Sequence, residues 1–385
     1  MTATSFEGAA SLCASSGPDV PLVDLALMDP ELRQHLGEAF ERVLASGQFS
    51  ADAEVTLFEE ALSARIGVAG AVGVASGTAA VALALRAAGV CPGDEVILPA
   101  NTFFATLEAV VSCGAVPVLA DVEAETAGLD PVAAEAAVTS RTSAIIAVHL
   151  YGIPAEMDRL RAVAGRYKIL LVEDAAQALG ATWHGQPIGA IGNVAAHSFF
   201  PTKNLGALGE AGAVTTADVT LAERVRALAN HGQRVKSVHE EFGFNERLDE
   251  LQAAFLRVKL QDLDRDLARR QHLAEAYLGF FAEMAGVGTF VVPPPGVAAY
   301  HLFVVRIAAR DAVLAKLRER GIGAGVHYPI PLHLQPACQG LGYGVGAFPG
   351  AEQLAASVLS LPFFPALSLQ QVERAATSLA EIVGS

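Results

Sequence analysis

The chain has few cysteines, few lysines and no apolar run long enough to cross a membrane. Its four cysteines (Cys13, Cys91, Cys113 and Cys338) show neither metal-ligand nor disulfide spacing. We therefore expect no metal site and no membrane partner. The cysteines are expected to be reduced thiols in a cytoplasmic protein. Residues 1 to 17 lack the positive segment and apolar stretch of a signal peptide, so they are predicted to be a flexible tail.

Positive charge is also scarce, since the formal net charge is −15. A nucleic-acid partner needs a basic face, so this composition argues against one. A small ligand that carries phosphate needs only a few local cations, and Arg234, Lys236 and Arg247 are candidates. The alternative for each of them is an ordinary solvated surface charge.

One of the five lysines has an unusual setting. Lys203 lies in SFFPTKN, in a turn rich in glycine, and Asp174 follows the apolar run at residues 169 to 172. A pyridoxal phosphate (PLP) enzyme needs a lysine amine to hold the cofactor aldehyde and a carboxylate to keep the pyridine nitrogen protonated. A surface lysine is the common alternative, but the other four lysines have no such setting. The sequence therefore predicts Lys203 and Asp174 as the catalytic residues of a PLP enzyme.

A phosphate site is predicted at Ser76-Gly77-Thr78, where a short apolar strand ends and an alanine-rich helix begins. Free backbone N–H groups and the helix dipole favour an anion at such a position. The alternative is an ordinary helix that Ser76 or Thr78 caps.

The pattern of apolar segments indicates an α/β fold with a mostly parallel sheet and a smaller α+β C-terminal domain. The predicted strands are residues 71–75, 95–98, 116–120, 144–148, 169–172, 194–199 and 211–215. A long charged helix is then predicted from residue 248 to about 284, and a terminal helix from 369 to 382. We place the domain boundary near residue 255, which gives a large domain at 18–255 and a small domain at 256–385.

Six motifs together resemble the DegT/DnrJ/EryC1/StrS family of PLP-dependent sugar aminotransferases, which have the aspartate aminotransferase fold, fold type I. They are SGT at 76–78, PANTF at 99–103, EDAAQALG at 173–180, SFFPTKN at 198–204, GFNERLDELQAA at 243–254 and GVHYPIPLHLQPA at 325–337. The resemblance implies site roles for further residues. Gly77, Thr78 and Ser198 would contact the phosphate, Phe103 would stack on the ring, and Gln177 would bond its phenolic oxygen. Asn245 would reach the phosphate bound by the other subunit of a homodimer.

Some of these residues have a structural alternative. An aromatic residue directly after a strand, as Phe103 is, usually packs in a core. Asn245 by itself would be interpreted as a helix cap. His327 and His333 could bind sugar or phosphate, or could be structural histidines in a polar loop. The resemblance suggests that His327 faces the sugar.

The resemblance is strongest to the branch that aminates C3 of dTDP-linked 3-keto-6-deoxyhexoses for antibiotic or cell-surface sugars, with glutamate or glutamine as donor. Phe200 stands where that branch often has tyrosine, so C4 remains an alternative. A PLP-dependent dehydratase or epimerase, or a non-catalytic PLP or sugar sensor, would also be compatible with a bound cofactor. The lysine at position 203 argues against a dehydratase, because the resemblance suggests histidine in that branch.

Overall fold

The computed structural model describes residues 18–50 and 52–384, so the predicted tail at 1–17 lies outside the described residues. The helices are α1 Pro30–Ser46, α2 Ala53–Ile66, α3 Gly77–Ala87, α4 Phe104–Ser112, α5 Pro131–Ala136, α6 Met157–Tyr167, α7 Val219–Ala229, α8 Glu250–Phe281, α9 Arg310–Glu319, α10 Pro349–Ser357 and α11 Leu369–Val383. The strands are β1 Gly70–Val74, β2 Glu95–Pro99, β3 Val116–Ala120, β4 Thr142–Val148, β5 Leu170–Asp174, β6 Thr182–Trp183, β7 Gln186–Pro187, β8 Val194–Ser198, β9 Gly212–Thr216, β10 Gln233–Val235, β11 Val238–His239, β12 Val287–Thr289, β13 Gly296–Val297, β14 Phe303–Ile307 and β15 Val358–Leu361.

A seven-stranded sheet forms the centre of the molecule, in the order β1-β9-β8-β5-β4-β2-β3. Only β9 runs against the other six strands, through its antiparallel pairs with β1 and β8. Strands buried on both faces are mostly apolar. In β2 all five residues are buried, and only Glu95 at its start is charged. The predicted α/β class, the mostly parallel sheet and its seven strands are confirmed.

The carboxyl ends of the parallel strands bring the motifs together at one edge of the sheet. Asp174 is the last residue of β5, Ser198 is the last residue of β8, and Ser76 follows β1 by two positions. The backbone N–H of His149, directly after β4, donates to the carbonyl of Asp174 at 3.1 Å. Open α/β sheets bind their ligands at this edge, because side chains from neighbouring strand ends converge there.

The C-terminal part contains a three-stranded antiparallel sheet in the order β12-β14-β15, with α9 and α11 packed beside it. Helix α8 contributes side chains to two hydrophobic cores. Leu256 packs in a core with α2, whereas Tyr277 and Phe281 pack with Phe303 of β14. The predicted boundary near residue 255 lies within this continuous helix, so the division into two domains stays a prediction. Among residues 18–50 and 52–384, no helix is both long and apolar enough to span a bilayer.

Candidate active site

Lys203 lies in a tight turn that follows β8, and its N–H donates to the carbonyl of Phe200 at 2.8 Å. Gly206 closes the turn, since a Cβ there would lie 2.2 Å from the carbonyl oxygen of Pro201. Burial lowers the pKa of the Lys203 amine to about 8, and the negative charge of Asp174 acts in the opposite direction. The Lys203 Nζ has no hydrogen-bond partner within the part of the chain that the structure describes. The structure thus brings the predicted catalytic pair together and leaves the amine available.

The carboxylate of Asp174 is oriented by two donors. The hydroxyl of Thr106 donates to Oδ2 at 2.7 Å, and the backbone N–H of Ala176 donates to Oδ1 at 3.2 Å. Thr106 in turn lies 3.1 Å from the hydroxyl of Thr102. Thr106 is not among the residues predicted from the sequence. The only sequence signal is a hydroxyl residue in the first turn of a helix that follows a strand end.

The predicted phosphate site lies at the N-terminus of α3. Ser76 caps this helix, because its Oγ accepts the N–H of Ala79 at 3.1 Å. The N–H groups of Gly77 and Thr78 have no acceptor among the described residues. A Cβ on Gly77 would lie 2.6 Å from the Cβ of Ser198, so the glycine lets the helix start touch this serine. Ser76 is therefore a helix cap, and the helix start beside it presents free donors in the arrangement that suits an anion.

Gln177 and Phe103 both contact Tyr328. The amide oxygen of Gln177 accepts the N–H of Tyr151 at 2.6 Å, and its Nε2 donates to the Tyr328 hydroxyl at 3.2 Å. The ring centroid of Tyr328 lies 5.6 Å from that of Phe103. Phe103 is 53% exposed, so it is not a core side chain. Tyr328 belongs to the motif at 325–337 but is not among the residues predicted to form the site.

Two histidines lie within electrostatic range of Lys203. Burial and then Lys203 lower the pKa of His327 to about 4, and its Nδ1 lies 2.8 Å from the hydroxyl of Ser360. Burial, Lys203, Arg270 and His327 hold the pKa of His301 well below its ordinary value. The Nδ1 of His301 is buried without a hydrogen-bond partner in the described residues. Both rings are therefore neutral at physiological pH, and His301 joins the surroundings of Lys203 without any signal in the sequence.

His333 does not share these surroundings. Its side chain is buried, with Nε2 3.0 Å from Oε1 of Glu352 and its ring against Phe348. These contacts favour the structural alternative for His333.

The remaining candidates lie at the surface. Asn245 is exposed, in a segment whose next carbonyl, of Glu246, accepts the N–H of Ala75 at 2.9 Å. Arg247 donates to the amide oxygen of Asn230 at 2.7 Å. Phe200, beside the Lys203 turn, is 43% exposed.

The two cations of the nearby hairpin are also at the surface. Arg234 forms a 3.5 Å ion pair with Glu240, and Lys236 is exposed. In a single chain, these contacts fit both solvated surface charges and ligand binding. Both alternatives therefore stay open for the two cations. Within the described ranges, no group of three or more His, Cys, Asp or Glu residues could hold a metal ion.

The arrangement fits PLP on its own chemistry. Among the residues that the structure describes, an amine without a hydrogen-bond partner, an oriented carboxylate and a helix start with free N–H groups lie at one sheet edge. These are the three groups that an aldehyde, a pyridine nitrogen and a phosphate require. The exposed ring of Phe103 adds a flat apolar face.

Comparison with known proteins gives the same result. The model of the DegT/DnrJ/EryC1/StrS aminotransferase family matches residues 30–380. The erythromycin biosynthesis sensory transduction protein EryC1 of Saccharopolyspora erythraea is 48% identical over 94% of this chain and 99% of its own length. A dTDP-3-amino-3,4,6-trideoxy-alpha-D-glucose transaminase of Streptomyces venezuelae is 46% identical over 94% of this chain and 96% of its own. The crystal structure of S. venezuelae DesV in complex with a ketimine intermediate superposes with a TM-score of 0.93 at 46% identity, covering 96% of this chain and 99% of that one.

Proposed function

Because the chain belongs to the DegT/DnrJ/EryC1/StrS family of PLP-dependent aminotransferases, we propose that it aminates C3 of a dTDP-linked 3-keto-6-deoxyhexose. Glutamate or glutamine would be the amino donor, and the product would be an amino sugar for an antibiotic or a cell surface. The observation that carries this proposal is the 46% identity, over nearly the whole of both chains, to a dTDP-3-amino sugar transaminase.

Lys203 and Asp174 would perform the central chemistry. When bound, PLP supplies an electron-accepting ring that stabilises negative charge on the carbon next to the transferred nitrogen. Lys203 would hold the cofactor covalently, and its released amine would move a proton at the reacting carbon. In the cofactor-free site, where the pKa of Lys203 is about 8, about a tenth of this amine is neutral at pH 7. Asp174, oriented by Thr106, would keep the ring nitrogen protonated.

The other cofactor contacts would come from the start of α3 and from Ser198, Gln177 and Phe103. The free N–H groups of Gly77 and Thr78 and the hydroxyls of Ser76 and Ser198 would bind the phosphate. Gln177 would donate to the phenolic oxygen of the cofactor, because its amide oxygen is already occupied by Tyr151. Phe103 would cover one face of the ring.

The sugar would lie between the Lys203 turn and the segment that holds His327. His327 and Phe200 would flank this region, and Arg247 would contribute a positive charge toward the nucleotide. The C4 aminotransferase of a dTDP-4-keto-6-deoxyhexose is the second candidate, since Phe200 supplies no hydroxyl near the sugar. Purified protein incubated with glutamate or glutamine and a panel of dTDP-keto sugars decides between them. Mass spectrometry and NMR should find nitrogen at C3, and amination at C4 alone would refute the C3 assignment.

We further propose a homodimer in which Asn245 of one subunit contacts the phosphate bound by the other. The exposure of Asn245 at the surface is compatible with such a contact. Lys203→Ala and Asn245→Ala variants, each inactive alone, should regain partial activity when they are refolded together. One of the two sites in a mixed dimer would then contain both native residues. Mixed dimers without any recovery would mean that both residues serve the same subunit's site.

The enzyme would work in the cytoplasm. Cys91, Cys113 and Cys338 are free thiols in the structure, as a reducing compartment favours.

A further inference from the structure

Tyr151 has an unusual backbone conformation directly after β4. It lies in the single turn Leu150–Gly152 with φ of +62° and ψ of +3°. A bulky residue rarely adopts positive φ, and it persists there only where the surroundings fix it. Its side chain is almost completely buried, at 1% exposure. An outlier of this kind at a strand end that borders Asp174 suggests a functional constraint.

Each of the three polar groups of Tyr151 binds a different part of the candidate site. Its N–H donates to the amide oxygen of Gln177 at 2.6 Å, and its carbonyl accepts the N–H of His301 at 2.8 Å. Its hydroxyl donates to the backbone carbonyl of His327. Tyr151 therefore contacts Gln177 on the cofactor side, His301 in the surroundings of Lys203, and His327 on the proposed sugar side.

The chain at this junction has little room to move. Gly152 has φ of +90°, and a Cβ there would lie 2.7 Å from the N of His301 and 2.8 Å from the N of Tyr300. The turn thus crosses the Tyr300–His301 segment at close range. Because the backbone is fixed on both sides, the Tyr151 hydroxyl points to one defined position.

The hydroxyl remains a donor at every working pH. Burial, followed by the nearby Tyr328, raises the pKa of Tyr151 above its ordinary value, and the Asn101 side chain acts in the opposite direction. The contact with the carbonyl of His327 therefore does not switch off as pH changes.

We propose that Tyr151 is a positioning residue whose hydroxyl holds the His327–Tyr328 segment against the sugar site. This inference rests on the proposed function, in which His327 faces the sugar. The backbone groups of Tyr151 position Gln177 and His301 regardless of the side chain. The hydroxyl itself donates to the carbonyl of His327, and Tyr328 keeps its own bond to Gln177. Loss of the hydroxyl should therefore affect the half-reaction with the keto sugar more than the half-reaction with the amino donor.

The test is Tyr151→Phe, with Tyr277→Phe as the matched control. Tyr277 is also fully buried, and its hydroxyl also donates to a backbone carbonyl, that of Pro362 at 3.0 Å, but it lies in the C-terminal core. The donor half-reaction is followed by the cofactor absorbance after glutamate is added to the holoenzyme. The sugar half-reaction is followed by the KM for the dTDP-3-keto-6-deoxyhexose. Both are measured well below the melting temperature of either variant.

We expect Tyr151→Phe to raise the sugar KM between about 3-fold and 10-fold, the range that the net free energy of one hydrogen bond allows. The rate of the donor half-reaction and the cofactor spectrum should stay within about 2-fold of the parent, since the backbone contacts remain. Tyr277→Phe should lower the melting temperature without changing the sugar KM. An unchanged sugar KM in Tyr151→Phe, or an equal loss in both half-reactions, would overturn the proposal.

His327→Ala separates this inference from the proposed function. If Tyr151 acts through His327, the double variant should raise the sugar KM no more than His327→Ala does. Additive effects would refute the coupling. If His327→Ala does not change the sugar KM, the sugar-side role of His327 is wrong. If His327→Ala raises it and Tyr151→Phe does not, only the inference about Tyr151 fails.

Discussion

The Lys203 amine should lose its proton at a much lower pH than an ordinary lysine does, once the cofactor has been removed. The ordinary pKa is 10.5, and burial lowers that of Lys203 to about 8. At pH 7, the neutral fraction of Lys203 should therefore exceed that of an ordinary lysine by about 300-fold. Only the neutral amine attacks an aldehyde, so this difference prepares the residue for cofactor capture.

Competitive labelling with an amine-reactive reagent measures this pKa directly. The labelled fraction of the Lys203 peptide is followed by mass spectrometry across pH, and the midpoint, rather than the absolute rate, reports the pKa. The guanidinium-unfolded chain provides the reference, with a midpoint near the ordinary value of 10.5.

Asp174→Asn tests the sign of the electrostatic effect. The negative charge of Asp174 raises the pKa of Lys203, so its removal should move the midpoint below that of the parent. A folded-state midpoint near 10.5 would refute the argument from burial. A midpoint that rises in Asp174→Asn would show that the two groups do not interact as the structure indicates.

Four further predictions concern the same site. Asp174→Ala should lose far more turnover than Asp174→Glu, because only a carboxylate keeps the ring nitrogen protonated, and near-normal kcat in the alanine variant would disprove the role. Thr106→Val should lower kcat about 10-fold by removing a donor to that carboxylate, and unchanged kcat would mean that Ala176 alone orients it. Gly77→Ala should weaken cofactor affinity, because its Cβ meets Ser198 at 2.6 Å, whereas Gly37→Ala, with nothing within 4 Å, should leave affinity unchanged; equal affinities would argue against this phosphate site. Between pH 8 and 10.5 the unfolded chain retains the Lys203 proton and the folded chain releases it. The free energy of unfolding of the apo-protein should therefore rise more steeply with pH than that of Lys203→Met. Identical slopes in a pH series of denaturant titrations would contradict this.

Local sequence pattern was sufficient to predict the central sheet and to place Asp174 and the start of α3 at the ends of its strands, whereas the roles of these residues stay a prediction. Continuous apolar segments identify the seven central strands, since strands buried on both faces have no polar alternation. The order of strands and helices then brings the strand ends to one edge, which placed Asp174 and the start of α3 at the site. The small number of lysines also helped to single out Lys203, because it alone of the five follows such a strand.

The distant side chains that complete the site depend on tertiary packing. Thr106 reaches Asp174 across 68 positions, and Tyr151 reaches His327 across 176. No periodicity encodes such pairs, since they form only after the sheet has fixed the strand order and the C-terminal segment has packed against it. The same packing gives similar residues different roles. His327 comes within range of Lys203, whereas His333, six residues later in the same motif, turns inward to Glu352.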